Sequence, residues 1–104
     1  MLFWKRTKKI ALLGEINGSV MPKPVPVELL DLSHGGFSVA SSVPFRPNAE
    51  YTFQFNASRQ SEPIRARDTH CLRVSDGKRA RYLASFSFVS YLAADWQVVE
   101  EMLR

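Results

Sequence analysis

The sequence predicts an all-β domain, a small six-stranded antiparallel barrel followed by one C-terminal α-helix. Three observations predict it. Apolar residues recur at every second position along most of the chain, turn-forming residues interrupt those runs at short intervals, and a helical period takes over only after Tyr91. A chain of 104 residues is one domain, residues 1–104, large enough to bury a single core without disulfide or metal staples. Within it the expected divisions are an arm at 1–9, the barrel at 10–90 and the helix at 91–104.

The arm is defined by charge. Lys5, Arg6, Lys8 and Lys9 are four of the fourteen basic residues, and the other ten are matched by ten acids, so the formal excess of +4 equals the count in this short segment. Its charges follow the apolar Leu2-Phe3-Trp4, and the apolar residues from Ile10 to Leu13 are soon broken by Gly14 and Glu15, so this segment is not expected to be a secretory signal. No apolar run approaches the roughly 18 residues of a membrane span. An arm of this kind is either a solvated tail or a segment that waits for an anion.

The first strand is read over 10–20, where Ile10, Leu12, Gly14, Ile16, Gly18 and Val20 share one face and Glu15, Asn17 and Ser19 the other. Pro22, Pro24 and Pro26 mark a loop or an edge. A second strand, 26–30, and a third, 37–40, flank the sequence Asp31-Leu32-Ser33-His34-Gly35-Gly36. Paired glycines suffice for a tight turn, since glycine takes positive φ without steric cost. Asp31 and Ser33 are additional: their side chains either rigidify the corner through backbone N–H groups or present an acceptor and a hydroxyl to a polar ligand.

After a loop at 44–48, Tyr51, Phe53 and Phe55 alternate with Thr52, Gln54 and Asn56 as a fourth strand. A loop at 57–62 leads to the fifth, 64–74, whose odd positions Arg65, Arg67, Thr69, Cys71 and Arg73 place three guanidiniums on one face. That row is either a solvated face or a basic stripe for phosphate, to which Arg79 and Arg81 add. Asp76-Gly77 marks a hairpin, and Ala80, Tyr82, Ala84, Phe86 and Phe88 form the apolar face of the sixth strand, broken only by Leu83. In the last segment Leu92, Trp96, Val99 and Leu103 lie on one helical face with Asp95, Glu100 and Glu101 off it, Ser90 serving as N-cap and Trp96 as the main apolar contact.

Several functions are excluded by what the chain lacks. A single Cys71 forms no internal disulfide, and neither it nor His34 and His70 falls at metal-ligand spacing, so a reduced, cytoplasmic setting without a metal or cofactor is expected. No Ser-His-Asp or Cys-His set can be drawn from two histidines, which argues against an enzyme. A barrel binding single-stranded nucleic acid needs aromatic residues on the outward face, whereas Tyr51, Phe53, Phe55, Phe86 and Phe88 follow the inward pattern.

A basic arm, a D-x-S-x-x-G corner at Asp31, Ser33 and Gly36, several further strands and a closing helix together resemble a PilZ domain over essentially the whole chain. The resemblance implies a bacterial receptor module for cyclic di-GMP. In that family the corner contacts one guanine, and an R-x-x-x-R arm at the barrel mouth grips phosphates and the purine edge. The implied ligand-binding residues are Lys5, Arg6, Lys9, Asp31, Ser33, Gly35 and Gly36.

The chain departs from the pattern in the arm. Its nearest match is Lys5-x-x-x-Lys9, and Arg6 is followed four residues later by Ile10. Lysine keeps the charge and loses the planar fork of arginine. With each bidentate guanine contact worth about 1–3 kcal/mol, losing two weakens binding by roughly 30-fold to more than 10,000-fold. The resemblance therefore implies a cyclic di-GMP receptor acting in trans, through a protein partner, on a motility, pilus or exopolysaccharide system. The alternative is a PilZ-like barrel that has lost the nucleotide and works through protein contacts alone.

Overall fold

The computed structural model describes residues 8–16, 23–90 and 92–104. Six strands, β1 (Lys8–Glu15), β2 (Val25–Leu32), β3 (Gly36–Ser41), β4 (Glu50–Asn56), β5 (Ile64–Asp76) and β6 (Arg79–Ser90), precede the helix α1 (Ala93–Leu103). They close into a barrel in the order β1-β2-β3-β6-β5-β4, with β4 returning to β1 and every neighbouring pair antiparallel. Closure leaves the central part of each strand hydrogen-bonded on both sides, which removes the open edges of a flat sheet.

Period two builds the core as the sequence implies. Ile10, Leu12, Leu29, Val39, Tyr51, Phe53, Phe55, Ile64, Ala66, Ala84 and Phe86 are all buried inside the barrel. Phe37 sits among four rings, with centroids 5.0 Å from Phe53, 5.1 Å from Phe55, 5.3 Å from Phe86 and 5.5 Å from Phe88. Aromatic pairs at such spacing add stability beyond the area they bury, so truncating Phe37 removes both terms.

Among the described residues four β-bulges interrupt the alternation, and each redirects side chains. In β1 the pairing shifts between Leu12 and Gly14, leaving Leu13 as the extra residue. Glu15 then stands opposite the buried Tyr51 and pairs with Arg46, while Ile16 is exposed. This corrects the strict alternation expected over 10–20; positions 17–20 of that run lie outside the described residues. In β2 the shift between Leu29 and Asp31 bulges Leu30, and in β5 the shift between Asp68 and His70 bulges Thr69. The fourth lies in β6, where Ser90 and Phe88 oppose consecutive residues of β5 and Val89 is extra.

The β5 bulge breaks the expected arginine row. Ala66 and Asp68 point inward ahead of it, whereas beyond it Cys71 pairs with the buried Ala84 and packs on the core. Arg73, two residues further, lies on the face opposite Arg65 and Arg67. Those two guanidiniums converge on Glu50, at 3.2 and 2.6 Å, so their charge is partly neutralised. The hairpin between β5 and β6 turns at Gly77-Lys78, with Gly77 at a φ of 66° as a two-residue loop with glycine first requires.

The helix differs from its expected form in two respects. Leu92 is the N-cap and offers no side-chain hydrogen bond, while Ser90 belongs to β6. The buried face is Asp95, Val98, Val99 and Met102, with Trp96 and Leu103 half-buried beside it and Leu92 63% exposed. Asp95, expected off the apolar face, is on it because its Oδ1 accepts the Glu62 N–H at 2.7 Å. Arg59 donates to the Ala94 carbonyl at 2.8 Å and Ser58 to Glu101 at 2.7 Å, so the β4–β5 loop holds one flank of α1. Among the described residues no helix is long and apolar enough to cross a membrane.

Candidate functional site

The corner between β2 and β3 is closed by Ser33. Its backbone N–H donates to the Gly36 carbonyl at 2.8 Å, its hydroxyl donates to the same oxygen at 3.3 Å, and the Gly35 N–H donates to that hydroxyl at 3.3 Å. Neither Gly35 nor Gly36 has positive φ, which corrects the expectation that the pair supplies a left-handed turn. Gly36 is needed for another reason: a Cβ there would strike the backbone carbonyl of Phe86 on β6. Gly35 has open space around it, and its carbonyl accepts the Phe88 N–H at 3.1 Å.

Asp31 owes its direction to the Leu30 bulge. Val27 and Leu29 are buried, and period two would carry Asp31 inward after them. The extra residue turns Asp31 outward opposite Ser38 and sends Leu32 into the core opposite Phe37. Asp31 is exposed and has no hydrogen bond or ion pair among the described residues.

The barrel register extends this outward position into a row. Asp31 stands opposite Ser38, Ser38 opposite Ser85, and Ser85 opposite His70. Four polar side chains from β2, β3, β6 and β5 thus cross the outer face, three inter-strand gaps or roughly 14 Å long. The Ser38 and Ser85 hydroxyls share a hydrogen bond of 3.3 Å, and Thr69 donates to the Ser85 carbonyl at 3.2 Å. Ser38, Ser85 and His70 were not expected at the site. Serines among apolar alternates are the sequence signal for them, and strand pairing shows that they share one row with Asp31.

Of the arm, Lys5 and Arg6 lie outside the described residues. Lys8 and Lys9 belong to β1, where Lys8 stands opposite Leu29 and Lys9 between Glu28 and Asn56, so the barrel begins two residues earlier than expected. The start of β1 is therefore at the corner's end of the barrel: Asp31 is only two residues beyond Leu29. Asp31, Ser33, Gly35 and Gly36 are brought together in the structure, and the chain enters the barrel alongside them.

The corner also meets α1. The His34 ring lies 5.1 Å from Trp96, centroid to centroid, at an interplanar angle of 57°, and its Nε2 is 4.0 Å from a Glu100 carboxylate oxygen. Trp96 in turn meets Phe88 edge-on at 5.7 Å. Among the described residues no group of three or more His, Cys, Asp or Glu side chains is arranged to hold a metal ion.

No protein-family model matches the sequence, and no curated protein matches it. Solved structures do resemble it. MrkH from K. pneumonia in its apo state superposes with a TM-score of 0.71 at 15% identity, covering 98% of this chain and 47% of MrkH. A second crystal of MrkH gives 0.68 at 15% identity, with 92% and 43% covered. The PilZ domain of YcgR from Escherichia coli, solved with c-di-GMP, gives 0.61 at 16% identity, with 93% and 85% covered. The chain thus spans about half the length of MrkH and most of the YcgR domain. The six-stranded antiparallel barrel with its C-terminal helix is the PilZ fold.

Proposed function

We propose that this PilZ-like domain is a receptor for cyclic di-GMP, held between the corner and the basic arm. The observation that carries the reading is the outward turn of Asp31 at the Leu30 bulge, beside the point where β1 begins. An ionised carboxylate accepts from the paired N–H donors of a guanine edge in a charge-assisted contact. Ser33, Ser38 and Ser85 offer hydroxyls along the face beyond it, and Lys5, Arg6 and Lys9 supply the charge for the phosphates. The YcgR domain was solved with this nucleotide, which supports the choice of ligand.

The reading carries a setting with it: a bacterial, cytoplasmic signalling domain that acts in trans through a protein partner on a motility, pilus or exopolysaccharide system. It assigns the chain no catalytic role. A second reading, an adaptor without nucleotide, is favoured by the two lysines where the family motif has arginines and by the engagement of the Ser33 hydroxyl within its own turn.

Calorimetric titration with cyclic di-GMP at low and at moderate salt separates the two. A receptor gives saturable heat at one site, weaker at the higher salt because the arm acts through point charges. Absence of heat at both salts removes the receptor reading and leaves the adaptor.

A further inference from the structure

We infer that α1 is the output element of the corner, with His34 as the link between them; the inference rests on the receptor reading for the identity of the ligand. Within the corner the side-chain lock is Ser33, whose hydroxyl makes two long hydrogen bonds, to the Gly36 carbonyl and from the Gly35 N–H. A ligand that accepts the proton of this hydroxyl breaks the bond to the Gly36 carbonyl and turns Oγ away from the Gly35 N–H, leaving the backbone bond from the Ser33 N–H to the Gly36 carbonyl, at 2.8 Å, to hold the turn alone. The segment loosened is His34-Gly35, which contacts the rest of the molecule through the His34 ring on Trp96, its Nε2 facing Glu100, and the Gly35 carbonyl that accepts the Phe88 N–H.

The helix is built to respond. It has 11 residues, no side-chain N-cap and no basic residue in its last turn, so its own local stability is marginal and docking contacts hold it. One flank is tied by Asp95, Arg59 and Glu101 to the β4–β5 loop, away from the corner. The other reaches the corner through Trp96 and Glu100 to His34. Capture of Ser33 loosens the second attachment and leaves the first, so α1 frays against a fixed pivot. His34 is a positioning residue here: it touches the helix, and its effect on the ligand runs through the conformation of the corner.

Amide hydrogen exchange of the full chain tests the link in two arms. Without nucleotide, Ser33→Ala and His34→Ala each remove a part of the connection and should speed exchange in α1 by roughly two- to twelve-fold, the worth of one aromatic pair, with β3 and β6 unchanged. If neither variant alters α1, the link is overturned whatever the nucleotide does.

With saturating cyclic di-GMP, the parent protein should show the same acceleration in α1. Because binding then works against the His34 contact, reciprocity requires His34→Ala to bind the nucleotide tighter, by up to about tenfold. A merely structural His34 predicts weaker or equal binding. Nucleotide that binds while α1 stays as protected as before overturns the link and leaves the receptor reading standing. A parent that binds no nucleotide removes the receptor reading, and Ser33→Ala alone then decides whether corner and helix are coupled.

Discussion

Asp31 and Asp68 lie on adjacent cross-strand rows of one barrel, and each stands beside a bulge, yet they end in opposite environments. Asp31 follows the extra residue Leu30 and faces outward at the end of the row Asp31, Ser38, Ser85, His70. Asp68 precedes the extra residue Thr69 and faces inward at the end of the row Leu32, Phe37, Phe86, Asp68. The first is exposed. The second is 0% exposed, and neither of its carboxylate oxygens has a hydrogen-bond partner among the described residues. Burial raises the Asp68 carboxyl from 3.8 to about 6, opposed in part by the charge of nearby His70. Whether an aspartate faces outward or into the core is thus decided by which side of an inserted residue it falls on.

The largest effect expected from this contrast is on stability. Below about pH 3.8 Asp68 is protonated in both the folded and the unfolded chain and costs nothing. Between 3.8 and about 6 the unfolded chain ionises first, so stability falls as pH rises, and the whole loss is present above about pH 6. The shift corresponds to a penalty on the order of 3 kcal/mol at pH 8. Asp68→Asn should therefore raise the midpoint of urea unfolding at pH 8 and leave it unchanged near pH 3.5. Equal effects at both pH values would mean that Asp68 is not held as an uncompensated carboxyl.

Asp31→Ala should do the reverse, with no change in the unfolding midpoint and a loss of cyclic di-GMP affinity of about 1.5–3 kcal/mol, the worth of a hydrogen bond to a charged group. Calorimetry reads that as a loss of roughly 10- to 150-fold, persisting at high salt because the contact is short-ranged. If Asp31→Ala destabilises the fold instead, Asp31 is a turn residue and the contrast with Asp68 collapses.

The glycines of the corner sharpen the comparison. Gly36→Ala forces a methyl into the Phe86 carbonyl and should cost about 1–3 kcal/mol of stability. Gly35→Ala, with open space and ordinary φ, should stay within about 0.5 kcal/mol of the parent in thermal unfolding. The smallest effect belongs to the arm. Lys5→Ala should weaken nucleotide binding by a few-fold at low salt and by less at moderate salt, as expected for a point charge worth about 0–1 kcal/mol. A loss that salt leaves untouched would move Lys5 from the phosphates to the base.

Alternation was legible because its cause is local. In a strand successive side chains point to opposite faces, so Tyr51, Phe53 and Phe55 had to share a side, and the fully buried Phe53 and Phe55 confirm which side it is. The Asp76-Gly77 break and the change of period after Tyr91 were legible for the same reason. The helix shows where local reasoning thins out. Leu92, Trp96, Val99 and Leu103 make a valid stripe, but so do Asp95, Val98, Val99 and Met102, and the Glu62 N–H that donates to Asp95 comes from a loop 33 residues earlier in the chain.

By itself, then, the sequence determined six strands, their inward aromatic residues, the corner with its Asp31 and Ser33, and a terminal helix. The tertiary structure alone decided the bulges at Leu13, Leu30, Thr69 and Val89, and through them the outward face of Asp31, the burial of Asp68, the pairing of Glu15 with Arg46 and the division of Arg73 from Arg65 and Arg67. A bulge is a mismatch between two paired strands, set by how the closing barrel staggers and twists them. Neither strand's own sequence records its partner's register, and so the row from Asp31 to His70 exists only once four strands lie side by side.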